Sequence, residues 1–149
     1  MEPFNRVTGA DQDIDFQGET KNSLFCELDA GEDIEFGGGP CPIQFHNNEV
    51  HSMVTGKDLQ FEHGTWVGPD NTFLNVDIGD DFQFTEDAGF TRDTKVFDNT
   101  WGNIDVDDKC NFKDIAEADV DVSGNTCAFF DVNDDSDCDP TVYDGFDCV

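Results

Sequence analysis

A short phrase of alternating apolar and polar residues recurs four times along this chain. Each copy begins with aspartate, continues with an apolar and a polar residue, and ends with phenylalanine. The copies are 13–16 (DIDF), 33–36 (DIEF), 58–61 (DLQF) and 81–84 (DFQF). Apolar residues two positions apart share one face of a strand, so each copy predicts a short strand with one dry face and one wet face.

Turn residues stand on both sides of every copy. The glycines before the copies are Gly9, Gly31, Gly56 and Gly79, and those after them are Gly18, Gly37, Gly64 and Gly89. The segments between copies contain further alternating runs, of which the longest is 74–78. Many short strands separated by turn signals predict an all-β protein.

Two all-β architectures fit this pattern. The copies start 20, 25 and 23 residues apart, a range that fits the coils of a parallel β-solenoid. The uneven spacing and the extra strands between copies favour a single-domain antiparallel β-sandwich of the jelly-roll kind. Helical spacing occurs once, where Phe112, Ile115 and Ala116 follow a capping Asn111, so we expect at most one short helix at 111–118.

The chain length of 149 residues suits one domain spanning 1–149. Within it we expect residues 1–10 to form an extended lead-in, since Pro3 opposes regular structure. Residues 133–149 read as an acidic tail. No apolar run is long enough for a signal peptide or a membrane-spanning helix, so we expect no membrane insertion.

Charge is the most unusual property of the composition. Thirty-five acidic residues face seven basic ones, which gives a net charge of −28. Self-repulsion at this charge opposes compaction unless it is screened, and at molar salt the screening length falls to about 3 Å. The composition therefore predicts a globular protein adapted to high salt. The alternatives are neutralisation by calcium, or acidic disorder, which lacks phenylalanines at strand spacing. Nucleic acids and anionic membranes should be repelled.

The six cysteines predict disulfides and an oxidising final environment. They are Cys26, Cys41, Cys110, Cys127, Cys138 and Cys148, and six cysteines allow 15 pairings. We expect the last four to pair mainly among themselves and to staple the acidic tail. The first two would then pair with each other across neighbouring strands.

The best metal candidate is an alternating acidic run in the tail. Asp131, Asn133, Asp135 and Asp137 stand at alternate positions, as in the first half of a calcium loop, and the run resembles an EF-hand or thrombospondin-type loop. Ser136 stands where that turn needs glycine, and Val142 where it needs a closing glutamate. A second candidate begins with Asp119 and Asp121. Ordinary solvated acidic chain is the alternative at both places.

Other constellations that could carry chemistry are sparse. Cys41, His46, His51 and His63 are the remaining metal-ligand types, and they are predicted to be surface or core residues that do not converge. No nucleophile elbow or phosphate-binding loop occurs, so we predict no catalytic residues. Trp66 and Trp101 could form a platform for stacking sugars, although such residues are more often core or interface anchors.

These observations favour a non-enzymatic structural subunit of a high-salt assembly. Examples are a viral capsid, decoration, turret or tail protein, or a cell-surface protein of a halophile. Its partners would be copies of itself and other assembly proteins, in a virion or at an extracellular surface. The predicted interface anchors are Phe4, Trp66, Phe90 and Phe146. The alternative is a secreted calcium-dependent module that binds glycans, and a small hydrolase is a third hypothesis.

Overall fold

The chain folds as a parallel β-solenoid. The structure, a computed structural model, describes residues 2–9, 11–37, 43–62, 64–85, 94–113, 120–133 and 144–148. Among these residues every strand pairing is parallel, and the strands form three sheets that run along the solenoid axis. The predicted antiparallel sandwich is therefore wrong, and the alternative solenoid is the fold.

Each coil contributes one strand position to each of the three sheets. Sheet B holds β2 (Ile14–Phe16), β5 (Ile34–Phe36), β9 (Leu59–Glu62), β12 (Phe82–Thr85) and β15 (Cys110–Lys113). Sheet C holds β3 (Glu19–Lys21), β6 (Ile43–His46), β10 (Thr65–Val67), β13 (Thr94–Phe97) and β16 (Val120–Ser123). Sheet A holds β1 (Glu2–Gly9), β4 (Ser23–Ala30), β7 (Glu49–Val50), β8 (Met53–Thr55), β11 (Thr72–Ile78), β14 (Thr100–Val106), β17 (Asn125–Val132) and β18 (Phe146–Cys148).

The recurring phrase is the sheet B strand of successive coils. Ile14 pairs with Ile34, Ile34 with Leu59, and Leu59 with Phe82, so equivalent residues of the phrase lie side by side. A related segment at 109–112, in which Lys109 replaces the leading aspartate, continues the series, because Phe82 pairs with Cys110 in β15. The helix predicted at 111–118 is wrong for residues 111–113, which belong to that strand; residues 114–118 lie outside the described part.

Stacked aromatic rings fill the space between the sheets. Phe16, Phe36, Phe61 and Phe84 form one column, with ring centroids 4.8, 5.3 and 5.5 Å apart. A second column combines Phe25, Phe45, Phe73 and Trp101, at 6.1, 6.0 and 4.1 Å. Stacked aromatic pairs contribute more stability than their buried area alone would give. One ring per coil in each column therefore stabilises the contact between successive coils.

A ladder of buried asparagines marks the corner between sheets C and A. Its members Asn48, Asn71, Asn99 and Asn125 are each at most 3% exposed. The Oδ1 atom of Asn71 accepts from the backbone N and the Nδ2 of Asn48, at 2.9 and 3.1 Å. The Nδ2 of Asn71 donates to Asn99 Oδ1 and to the Phe45 carbonyl, both at 2.8 Å. Each side-chain amide therefore provides hydrogen-bond partners for its neighbours, as buried polar groups require.

The residue before each ladder position turns the chain. Asn22, Asn47, Asp70, Asp98 and Gly124 all have positive φ, between 51° and 66°. The left-handed region is costly for most residues but is tolerated by Gly, Asn and Asp. The same corner is therefore encoded five times by a left-handed residue followed by Asn, with Ser23 in place of Asn in the first coil.

Both ends of the described chain lie in sheet A. The lead-in is the strand β1, paired with β4, and its register shifts between Glu2 and Asn5, next to Pro3. At the other end β18 pairs with β17, and a disulfide joins Cys127 to Cys148. This bridge fits the expected pairing within the tail, and Cys110 is also disulfide-bonded. The predicted Cys26–Cys41 bridge is wrong, because Cys26 is a free cysteine.

We predict that Asn71→Ala destabilises the solenoid by roughly 2–4 kcal/mol, because the buried backbone N–H and side-chain amide of Asn48 both lose their Oδ1 acceptor. Urea denaturation measures this free energy without changing the ionic strength. Asn103→Ala is the matched control, since Asn103 is exposed on sheet A, and it should change stability by less than about 0.5 kcal/mol. Equal losses in both variants would contradict the ladder's structural role.

Candidate functional site

The outward faces of the three sheets differ in charge. On the outer face of sheet A, one register position carries an acid on four of five neighbouring strands. The residues in this row are Asp29, Val54, Asp77, Asp105 and Asp131. The pKa of Asp105 is raised, first by desolvation and then by Asp131 and Asp77 on either side of it. A cation or screening salt therefore has to offset repulsion on this face.

The outer face of sheet C has balanced charge. Its described charged residues are Glu19 and Asp121, which contribute −2, and Lys21 and Lys95, which contribute +2, so they sum to zero with His46 neutral. The chain as a whole carries −28. This sheet C face is therefore a near-neutral surface on a strongly acidic molecule.

Trp66 lies at the centre of the sheet C face. Its neighbours Thr65 and Val67 are fully buried, so the alternation of β10 directs Trp66 outward, where it is 41% exposed. In register it stands between Gln44 on β6 and Lys95 on β13. The Lys95 Nζ lies 5.7 Å from the Trp66 ring centroid, within the range of a cation–π contact.

A shallow cavity of about 280 Å³ opens beside the Trp66 ring. It is lined by Gln44, His46, Trp66, Gly68, Pro69 and Phe97. The lining combines flat apolar surfaces with an amide and an imidazole. Such a mixture suits a ligand that has both apolar patches and hydrogen-bonding groups.

Glu19 organises the polar groups at one end of this face. Its Oε1 accepts from Lys21 Nζ at 2.8 Å and lies 3.5 Å from His46 Nε2. These two hydrogen bonds, that of Lys21 first, hold the pKa of Glu19 below its usual value. The ionised carboxylate therefore contacts both Lys21 and His46, and of these two residues His46 lines the cavity.

The described residues contain only part of each predicted calcium site, and calcium binding at either site stays a prediction. Asp131 is exposed in sheet A, whereas Asp121 is exposed in sheet C beside Lys95, and Asn133 donates from Nδ2 to Asp107 Oδ1 at 3.0 Å. Asp119, Asp135 and Asp137 lie outside the described residues. Within the described residues, the carboxylates that could share an ion are those of Asp80, Asp81 and Asp108, all within 4.8 Å of one another, which sequence reasoning did not single out.

The predicted aromatic anchors have different environments. Trp66 is exposed, but Phe146 is only 5% exposed and packs against Phe82, Phe130 and Trp101 of its own chain. The side chain of Phe4, and Phe90 as a whole, lie outside the described part. Because Trp101 is 1% exposed, it belongs to the core and forms no joint platform with Trp66.

The cysteine and histidine candidates also lie apart. His46 is on the sheet C face, whereas His51 lies beside sheet A, where its Nε2 is 2.6 Å from Glu49 Oε1. Cys41 and His63 lie outside the described residues. The two described histidines therefore lie beside different sheets.

Comparisons with protein-family models, with curated proteins and with solved structures found no match. None of the described residues forms a helix with the length and hydropathy needed to cross a membrane.

We predict that Asp105→Asn raises the urea midpoint in dilute buffer, because it removes a charge flanked by Asp77 and Asp131. The gain should shrink at about 1 M NaCl, where the screening length is about 3 Å. Asp121→Asn is the matched control: Asp121 pairs in register with Lys95, so its removal should bring no gain. A gain that is independent of salt would contradict this electrostatic explanation.

Proposed function

We propose that this protein is a non-enzymatic binding module. Its ligand is a neutral polysaccharide, which binds to the sheet C face. The observation that carries the proposal is the exposed Trp66, set among hydrogen-bonding groups on a face whose described charges cancel.

The chemistry of the face suits a sugar. A pyranose ring offers an apolar C–H face that stacks on an aromatic ring, and hydroxyls that need both donors and acceptors. Trp66 supplies a large rigid surface, while the Gln44 amide supplies both hydrogen-bonding roles next to it. A polyanionic ligand would be repelled by the net charge of −28, so a neutral glycan is favoured.

Binding fits this face better than hydrolysis does. Its two carboxylates among the described residues, Glu19 on β3 and Asp121 on β16, stand on the first and last strands of a five-stranded sheet. Four strand spacings of about 4.8 Å place those strands roughly 19 Å apart. Glycosidase carboxyl pairs are about 5–9.5 Å apart, so Glu19 and Asp121 cannot flank one scissile bond.

A structural subunit in an assembly is the second candidate. The observations that favour it are two exposed apolar side chains on sheet A, Leu74 on β11 and Phe129 on β17, which are 40% and 53% exposed. Once salt screens the surrounding acids, these side chains could bury against a neighbour. Light scattering at molar salt tests this candidate: Phe129→Asp should then dissociate a complex that forms with the parent chain.

We predict that a neutral hexasaccharide from cellulose, xylan or mannan changes the fluorescence of Trp66, while the buried Trp101 contributes a constant background. Trp66→Ala should weaken binding at least tenfold, which is about 1.4 kcal/mol. Calorimetric titration in about 1 M NaCl, which screens the net charge, measures the affinity.

The matched control is Phe129→Ala, which removes an exposed aromatic ring from a different sheet. It should bind like the parent chain. The proposal fails if none of the three glycans binds, or if Trp66→Ala and Phe129→Ala weaken binding equally. Repeating the titration after chelation shows whether calcium takes part.

A further inference from the structure

One row of sheet B, on the side away from the aromatic core, changes from acids to amides along the solenoid, and its member Gln83 is only 2% exposed. At the third position of the phrase, successive coils place Asp15, Glu35, Gln60, Gln83 and Asn111 side by side. Glu35 therefore occupies, in the second coil, the place that glutamine occupies in the third and fourth.

The two glutamines connect their own coil to the coil before it. Gln60 Nε2 donates to Asp33 Oδ2 at 3.2 Å, and Gln83 Nε2 donates to Asp58 Oδ2. The Oδ1 atoms of the same aspartates accept backbone amides of the following coil, from Asp58 N to Asp33 and from Asp81 N to Asp58, at 3.0 and 3.1 Å. Each aspartate is thus held from two directions.

The first coil has the same acceptor. Asp13 begins its phrase, and its Oδ1 accepts the Asp33 backbone N–H at 3.1 Å, as in the later coils. The residue placed to reach its other oxygen is Glu35. A protonated carboxyl has one O–H to donate, as the glutamine amide has N–H groups, whereas a carboxylate can only accept.

The surroundings of Glu35 disfavour its charge. Burial, followed by the negative charges of Glu62, Asp15, Asp13 and Asp33, raises its pKa from 4.5 to about 7. The nearest described base on this side is Lys57, whose Nζ lies 3.1 Å from Glu32 Oε1. Glu35 therefore keeps its proton to a pH where ordinary carboxyls have lost theirs.

We propose that Glu35 is a proton-operated latch between the first and second coils: its protonated carboxyl donates to Asp13 as Gln60 donates to Asp33, and its ionised form repels Asp13 instead. Acidification closes the latch, and neutral to alkaline solution opens it. The latch lies on sheet B, so it is independent of the ligand proposed for sheet C.

The sign of the effect follows from linkage. The unfolded chain releases this proton near pH 4.5, while the folded chain holds it to about pH 7. The stabilisation is therefore complete below about pH 4.5 and is lost as the pH rises through about 7. This is the opposite of the usual acid denaturation of a carboxylate that is paired in the native state.

The deciding experiment compares the melting temperature of the parent chain with that of Glu35→Gln between pH 5 and pH 8.5, at fixed ionic strength. Glutamine mimics the closed latch at every pH. We expect the parent to lose stability across pH 7, and the variant to match the parent at pH 5 and to exceed it at pH 8.5. Asp77→Asn, which removes one exposed charge from sheet A, should keep the parent's pH profile.

A second measurement follows the proton itself. Carboxyl ¹³C NMR, assigned by the signal missing from Glu35→Gln, should show a midpoint near pH 7. Asp13→Asn removes one negative neighbour and places an amide donor there, so it should lower that midpoint. Parallel melting profiles for the parent and Glu35→Gln, or a Glu35 midpoint near 4.5 that Asp13→Asn leaves unchanged, would overturn the latch.

Discussion

The parallel pairing of the described strands places each strand about 4.8 Å from its equivalent in the next coil, so equivalent side chains become neighbours. This spacing favours residue types whose side chains interact well with an identical side chain. Phenylalanines stack in columns, and asparagines donate to and accept from one another along a buried ladder. The same spacing disfavours charged residues, because an acid repeated in every coil becomes a row of like charges. The aromatic and amide stacks are therefore what hold together a chain with net charge −28.

The acids of the phrase meet this constraint in a specific way. Asp33, Asp58 and Asp81 stack on one another, but each Oδ1 accepts a backbone N–H of the next coil. Burial raises the pKa of Asp58 and Asp81, while these hydrogen bonds act in the opposite direction. Placing Gln60 and Gln83 in the adjoining row avoids a second column of charge and adds a donor. Glu35 lacks that solution, and for this reason its protonation state matters.

The sequence revealed the strands better than their arrangement. The phrase located sheet B in four coils, since its alternation comes directly from one buried and one exposed side. The uneven spacing argued wrongly for a sandwich. The distance along the chain from the sheet C–A corner to the next sheet B strand is constant at eleven positions. It is the same from Ser23 to Ile34, Asn48 to Leu59, Asn71 to Phe82 and Asn99 to Cys110. Most of the variation in coil length therefore falls between sheets B and C. The missed signal for a solenoid was a recurring pair, in which a residue with positive φ stands directly before Asn. It occurs at 47–48, 70–71, 98–99 and 124–125.

The candidate site was harder to foresee, because a face is defined by which strands adjoin. Trp66 could be singled out as an aromatic, but not its position between Gln44 and Lys95, which are 22 residues before and 29 after it. Inward rows are fixed by packing between coils, whereas outward rows are limited mainly by charge. On sheets A and B the outward rows contain stacked acids, whose charges help to raise the pKa of Asp105 and of Glu35. The sheet C face avoids this repulsion by alternating acid, amide, aromatic and base across its strands. Trp66 contacts Lys95 on the neighbouring strand and still leaves 41% of its surface exposed, and this exposed aromatic surface is what supports the ligand proposed for the sheet C face.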